Sequence, residues 1–580
     1  MIRNDTGKLN EAQPGIARMI VLSALAMSVG WGFRGNYGHE AGAMVPGALL
    51  ALSLCLASGR PDWWSRGTLL AFLGAIGWAF GGQMSYGRVI GYTAYTASYW
   101  DVAYGYASLF VIGALWGGIG AGILAIGLTM RRSELEKYVG PLVALWVVWF
   151  ALDMSGATDW LSERWYFYDT DWVAAVSALL TAGIYALVRR ESRSAAGFMV
   201  LLAAGWLVGC GLLTGVLGLR MTPPRSDNWS GCVGLMVALA AWHARRRDRA
   251  ALFLIGYGLL AGGVGFACGD FVHMLGRSEW GPVGAWEALR GLDYWKWMEQ
   301  LFGLIMGAGV AWGAVLLLTG HLEPPEEDTP SRRLNLIALL FLLVVMMWEN
   351  LHKNVPAWRQ GQHVLDVFFG LNTTWWFLLV GLLLTAVVVL AIVRHYQGLL
   401  PLAPESPLGR AQWLFLLVLW IPLVGDLLKA FPGLKGKTMF FVELSFWLTA
   451  GVCSLLVVTI GPERLRSVDF PTSPESHRWR GSRRVKIVWA LIGPLILLLA
   501  WLTVCASSTR PLPGSHPRFS TSETESTAMV SAQCFEQGKL VTTWRPSNLA
   551  TRCRARGFQR AEPEYQTCVA AISNDLRRWE

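Results

Sequence analysis

The segment Gly30-Trp-Gly-Phe-Arg34-Gly-Asn36-Tyr37-Gly-His39-Glu40-Ala-Gly-Ala sets five polar or ionisable side chains among five glycines, with an apolar run on either side. Charges this close to hydrocarbon persist only where they are paired or hydrated. Glycine lets backbone approach a ligand or a second helix closely. Arg34 suits a carboxylate or phosphate held by two parallel hydrogen bonds, and His39 and Glu40 suit proton transfer. A tight turn closed by an Arg34–Glu40 ion pair is the simpler reading. A plain turn, however, rarely needs Arg, Asn, His and Glu together.

Other embedded polar groups fall at the ends of apolar runs: Gln83, Ser85, Arg88 and Tyr92; Asp101 and Tyr104; Asp153; then Arg220, Asp270, His273, Lys296, Glu299, Glu349, Asn350 and His352. Taken one at a time, any of them is as well explained as a helix cap or a snorkelling end. The candidate substrate-binding set is Arg34, Asn36, His39, Glu40, Arg88, Asp101, Arg220, Asp270, His273 and Glu299. Asp270 and His273 share a helix face at i, i+3, a spacing that suits two metal ligands. No Cys-x-x-Cys or His-Glu-x-x-His pattern accompanies them, so neither a metal nor another cofactor is expected.

The elements that must position these residues are membrane helices. The chain has 580 residues, of which 54% are hydrophobic and only 15% charged, with a mean hydropathy of +0.40. Apolar runs long enough to cross about 30 Å of hydrocarbon recur along it, and in lipid a single segment satisfies its own backbone only as a helix. Spans are predicted at about 16–33, 41–58, 67–87, 105–130, 138–153, 172–188, 197–217, 230–243, 250–275, 298–319, 334–349, 373–393, 411–429, 438–460 and 485–506. The net charge of +10 arises mainly from short basic loops, and no basic domain or nucleic-acid motif accompanies it. The 31 Trp suit interfacial belts, and a minority suit a site.

Alternate loops carry the basic clusters: Arg131, Arg132 and Lys137; Arg189, Arg190 and Arg193; Arg245, Arg246, Arg247 and Arg249; Arg332 and Arg333; Arg394; and Arg478, Arg480, Arg483 and Arg484. With about fifteen spans these fall on one side, which the positive-inside rule makes the cytoplasm. The expected location is the plasma (inner) membrane, with the N-terminus inside, the C-terminal tail outside, and the candidate site at the outer face.

Internal matches suggest a duplication. Gly32-Phe33-Arg34 recurs as Gly218-Leu219-Arg220, Ala41-Gly42-Ala43-Met44 as Ser230-Gly231-Cys232-Val233, and Tyr99-Trp100 as Tyr294-Trp295. The Gly77–Gly91 stretch aligns with Gly262–Gly276. The expected fold is therefore all-α and polytopic. It comprises a first six-helix repeat (1–196), a second (197–396), three additional helices (397–506) and a small extracytoplasmic tail (507–580). Six spans are an even number, so the repeats would run parallel about the membrane normal. That plan is similar to the major-facilitator transporters, none of whose loop motifs is intact here.

The tail carries the disulfide candidates Cys534, Cys553 and Cys568, while Cys55, Cys210, Cys232, Cys268 and Cys453 lie in spans and read as small apolar residues. The segment Cys553-Arg-Ala-Arg-Gly557-Phe558…Tyr565-Gln-Thr-Cys568 resembles short Cys-paired segments of bacterial envelope lipoproteins. It departs from them at Arg560-Ala-Glu-Pro, where a Gly-Thr pair is usual.

Three functions fit these features. The first is a secondary transporter whose Arg34 and Arg220 clamp a small anionic solute between the repeats, with Glu40, Asp270, His273 or Glu299 carrying a proton. The second is a membrane transferase with an outer active site for a lipid-linked donor, with Glu40, Asp101 or Asp270 as acid or base. For this reading, Trp-rich segments such as Trp160–Tyr168 and Tyr294–Trp297 suit a sugar-containing ligand. The third is an envelope-complex scaffold that offers its tail to a partner. The lipid bilayer is a partner in all three, and nucleic acid in none.

Overall fold

The computed structural model describes residues 14–518 except 165–170, 223–226, 279, 320–330, 352–353, 361–363, 399–407, 431–433, 435, 461–486 and 488, together with the strands Gln533–Glu536 and Lys539–Thr542. His352, Cys553, Cys568 and the basic cluster from Arg478 to Arg484 lie outside the described residues.

A helix falls on each of the fifteen apolar runs. In chain order these are α1 (Pro14–Arg34), α2 (Glu40–Ala57), α3 (Gly67–Gly81), α4 (Tyr99–Thr129), α5 (Arg132–Met154), α6 (Asp171–Val188), α7 (Arg193–Gly209), α8 (Asn228–Arg245), α9 (Arg249–Arg277), α10 (Tyr294–Thr319), α11 (Arg332–Leu351), α12 (Thr373–Tyr396), α13 (Leu408–Ala430), α14 (Lys437–Val458) and α15 (Ile492–Ala506). Twelve helices among the described residues are long and apolar enough to cross a bilayer, which makes this a multi-pass membrane protein. Helices α3 and α15 are apolar but shorter, and α8 ends in His243 and Arg245. The only strands among the described residues are two short hairpins, Val367–Phe368 with Leu371–Asn372 and Gln533–Glu536 with Lys539–Thr542. Cys534 lies in the second of these.

Local chemistry sets several helix starts. Ser98 accepts from the Asp101 N–H at the head of α4, Asp248 from the Ala251 N–H at the head of α9, and Ser331 from the Leu334 N–H at the head of α11. Each satisfies one donor that a helix start leaves over.

Six helices close a ring in the order α1, α2, α3, α4, α9, α10 and back to α1. Small residues make the ring tight. Gly113 and Gly117 of α4 lie against Gly258 and Gly262 of α9, where a Cβ on any of the four would overlap a carbonyl of the facing helix. Gly47 and Gly74 meet in the same way between α2 and α3. Lipid gives apolar helices no hydrophobic reason to associate, so close van der Waals packing of this kind has to supply it. An aromatic layer fills the ring. Trp31 and Trp116 meet edge to face at 4.6 Å, Phe302 lies 4.7 Å from Trp31, and Phe266 stacks on Phe302.

Helices α5–α8 form a flank beside α4, α13 and α14 pack outside α1 and α2, and α15 lies on α4 and α9. The outward faces of α5, α6 and α12 are exposed and apolar, as a lipid contact requires. Pairing recurs along the chain, since α1 with α2 and α3 with α4 are followed by α7 with α8 and α9 with α10. The ring nevertheless takes four helices from residues 1–196 and two from 197–396.

Candidate functional site

The glycine-rich turn sits at one end of the ring. A 3-10 turn, Gly35–Tyr37, follows α1, and Gly38 at φ +91° redirects the chain into α2. Few residues other than glycine adopt that backbone conformation. Gly42 is packed so closely that a Cβ there would overlap the Arg34 carbonyl, so the turn folds back on itself.

Arg34 is 2% exposed and points into the ring. Its Nη2 donates to the Tyr86 hydroxyl at 2.5 Å and to Glu299 Oε1 at 3.3 Å, and the Tyr86 hydroxyl donates to the same oxygen at 2.9 Å. His39 Nδ1 lies 3.5 Å from Arg34 Nη1, and Lys296 Nζ lies 3.7 Å from Glu299 Oε2. The guanidinium rests over Trp31 at 4.7 Å and Trp116 at 5.0 Å. Such aromatic faces favour a desolvated cation. Gly35 is exposed above this group, with Lys296 Nζ 3.3 Å from where its Cβ would stand.

A second cluster adjoins through Asn36. Its amide nitrogen donates to Asp426 Oδ1, and its amide oxygen accepts from Lys429 Nζ at 2.5 Å. Glu443 of α14 faces Asp426 carboxyl to carboxyl, and Lys296 acts electrostatically on Asp426, Lys429 and Glu443. Tyr37 donates to the Pro422 carbonyl, Asn354 to the Tyr37 carbonyl at 3.2 Å, and Trp358 to the Asn36 carbonyl at 3.1 Å, so α13 and the segment after α11 fix the turn from outside. Arg34 Nε and Glu299 Oε2 are buried without a hydrogen bond. Buried polar atoms of that kind are expected to meet a partner, and a bound ligand or water is the usual one.

Of the ten residues expected to bind substrate, Arg34, Asn36, His39 and Glu299 meet here. Glu40 is exposed at the first residue of α2, where the helix N-terminus favours its charge, and the acid beside Arg34 in this cluster is Glu299. Asp270 and His273 face each other at 3.5 Å, one step away, where His273 meets Trp295 and Trp295 stacks on Tyr86. Among the described residues no group of three or more His, Cys, Asp or Glu is placed to hold a metal.

Arg88, Asp101 and Arg220 belong to a different place. There the segment after α15 lies across the short helix Gly87–Thr93. Its backbone bonds run from Leu512 N to Ala94 O and from His516 N to Gly91 O. Asp101 accepts from the Arg518 backbone N–H at 2.6 Å. The Arg518 side chain lies over Tyr104 and donates to the Arg220 carbonyl. Burial, with the Arg88 cation nearby, pushes the His516 imidazole down to about 3. Arg220 is exposed and its contacts are not those of Arg34, so the paired-arginine clamp is not formed.

Tyr86, Lys296, Asp426, Lys429 and Glu443 complete the site. Asp426, Lys429 and Glu443 carried a readable signal, being ionisable residues inside apolar runs.

Comparison of the chain with protein-family models, curated proteins and solved structures returns no match.

Proposed function

We propose that the chain is a membrane transferase working at one face of the bilayer on a substrate that carries a phosphate or carboxylate. The observation that carries this reading is the convergence of Arg34, Lys296 and Lys429, from three helices, around one glycine turn beside the Asp426–Glu443 carboxyl pair. Two lysines within electrostatic reach of one another repel, and an anion between them relieves that repulsion. In this reading Arg34 and Lys296 hold the anionic group beside Gly35. A carboxylate of the Asp426–Glu443 pair takes the proton of an acceptor hydroxyl as its oxygen bonds to the transferred group, while the donor's bond to that group breaks and the donor leaves as the anion held by Arg34 and Lys296. Glu299 orients the guanidinium and is a positioning residue. The aromatic layer beneath the site supports chemistry at one face over passage through the ring.

The second reading, a secondary transporter of a small anionic solute, is favoured by the position of Asp426 and Glu443 inside two spans, where a carboxyl pair can carry a coupling proton. Both readings place the site on the outer side of the plasma (inner) membrane. Both are compatible with a duplication expressed in helix order and pairing.

Purified protein should show a raised Tm with pyrophosphate. Arg34→Lys should keep the ligand-free Tm and lose that rise, since lysine lacks the planar fork. Vesicles containing the protein should not accumulate labelled phosphate or succinate. Concentrative uptake of either would overturn the transferase in favour of the transporter. No anion effect on Tm would remove the anion site.

A further inference from the structure

Between the ring and its flank runs a cavity of about 350 Å³, bounded by α3 and α4 on one side, by α5, α6 and α7 on the other, and by α11 at one end. Its wall is almost wholly aliphatic and aromatic: Phe72 and Ile76 of α3, Leu142 and Trp146 of α5, and Leu202 of α7 are representative. An apolar void of even ~150 Å³ stays dry and takes up an apolar guest, so water is a poor occupant here.

Its shape identifies a better one. Along α3 the lining runs from Leu69 to Phe80, about 16 Å at ~1.5 Å per residue. An elongated apolar slot of that length accepts an extended hydrocarbon chain. The helices that bound the cavity turn exposed apolar faces outward, with Phe150 and Ile184 among them, so hydrocarbon chains are its immediate surroundings.

The polarity is graded from end to end. At the end nearer the site, Gln83 accepts from Trp206 Nε1 at 2.9 Å. Asn228 donates to the Gln83 carbonyl at 3.4 Å and to Asp171, which forms a polar collar. At the far end the lining is Leu135, Tyr138 and Leu334. The collar adjoins the glycine-rich turn. Gly82, next to Gln83, packs so closely on it that a Cβ would stand 2.5 Å from the Glu40 Cα.

We propose that this cavity holds one acyl chain of a phosphate-headed bilayer lipid, with the chain running toward Leu135 and the head emerging past Gln83 beside His39 and Glu40. The lipid's role as substrate rests on the transferase reading. The chain site rests on the cavity alone.

The test is photolabelling in vesicles with a phosphatidic acid analogue that carries a diazirine in one acyl chain. Labelled residues should map to the cavity faces of α3, α5 and α7. Ala178→Phe and, separately, Ala174→Phe place a ring in the cavity and should each lower that labelling at least fivefold. The pyrophosphate effect on Tm should survive in both. A diacylglycerol analogue without the phosphate should label more weakly than phosphatidic acid. Labelling confined to outward residues such as Phe150 and Ile184, or labelling unchanged in a filled variant that keeps the wild-type Tm, would overturn the proposal. Cavity labelling that the fillers abolish, in a protein whose Tm ignores pyrophosphate, supports the chain site while the transferase reading fails.

Discussion

The two ends of the helix bundle use the same residue types in opposite ways. At the basic end, arginines meet backbone carbonyls, a serine or partly exposed carboxylates. Arg66 donates to the Gly127 and Met130 carbonyls at the close of α4, Arg132 donates to Ser65, and Arg246 pairs with Glu134 while both stay more than a third exposed. At the site end, Arg34 is buried and bonds side chain to side chain across three elements. Among the described residues, buried carboxylate oxygens without a hydrogen bond belong to Asp227, Asp270 and Glu299, all at the site end. Trp64 Nε1 and Thr68 Oγ1 are buried without a hydrogen bond at the basic end, so what sets the site end apart is that its incompletely paired groups include carboxylates. Incomplete pairing inside a membrane protein is costly, and the cost is sustained where a ligand or water can complete the set.

The largest effect should come from removing one partner of the buried group. Arg34→Ala takes the guanidinium from Glu299, leaving the buried carboxylate with only Tyr86 and Lys296, and should cost about 3 kcal/mol. Arg246→Ala breaks an exposed pair and should cost about 0–1 kcal/mol. Thermal unfolding in detergent reads both. Recovery of stability in the Arg34→Ala, Glu299→Gln double variant would show that the stranded carboxylate caused the loss. An Arg34→Ala variant as stable as Arg246→Ala would erase the difference between the ends.

Much of this contrast is legible in the residues, and the exceptions have physical causes. Apolar run length locates all fifteen helices, and the glycine-rich turn locates the site, because both signals are local. Glu299 and Lys296 are visible as charges in an apolar run. Tyr86 is not, since a phenol carries no charge to betray its burial. Asp426, Lys429 and Glu443 carry that signal but lie beyond the internal sequence matches, all of which fall before residue 397. Arg220 misleads in the opposite direction. Gly218-Leu219-Arg220 copies Gly32-Phe33-Arg34, but it follows a π-helical turn, Cys210–Val216, and Gly218 at φ +64° turns the chain out to solvent. A tripeptide match conveys local backbone chemistry and says nothing of which helices surround it.

A medium effect sharpens the contrast from the basic end. Arg66→Ala leaves two helix-end carbonyls without their donor and should cost about 1–3 kcal/mol, between the two extremes above. Arg66→Lys should recover part of it, since one ammonium reaches one carbonyl better than two. The same ends should face opposite sides of the membrane. Single cysteines replacing His39 and Trp160 should react with an impermeant maleimide from outside, and one replacing Arg247 should not. Labelling of the Arg247 position from outside would reverse the orientation assigned to the site.

The smallest effect concerns the segment that lies on the site end. His516 packs edge to face on Tyr92 at 4.8 Å, and burial with the nearby Arg88 cation holds its imidazole down to about 3, below the ordinary ~6.5 of a free histidine. The sign follows from which state takes the proton. Undocked, His516 is protonated as the pH falls below about 6.5. Docked, it stays neutral until about 3. Docking is therefore unaffected above about pH 6.5 and weakens by up to tenfold for each pH unit below it, until the docked ring also takes a proton. Hydrogen exchange of the Leu512 and His516 amides, which bond to the Ala94 and Gly91 carbonyls, reads this directly. Their exchange, corrected for the intrinsic rate, should accelerate between pH 6.5 and 4.5, while amides in the α4–α9 pair stay protected. His516→Phe keeps a ring against Tyr92 and removes the proton, so its corrected exchange should be flat over the same range. Equal acceleration in His516→Phe would assign the effect to some other group and leave the segment as a passive cover.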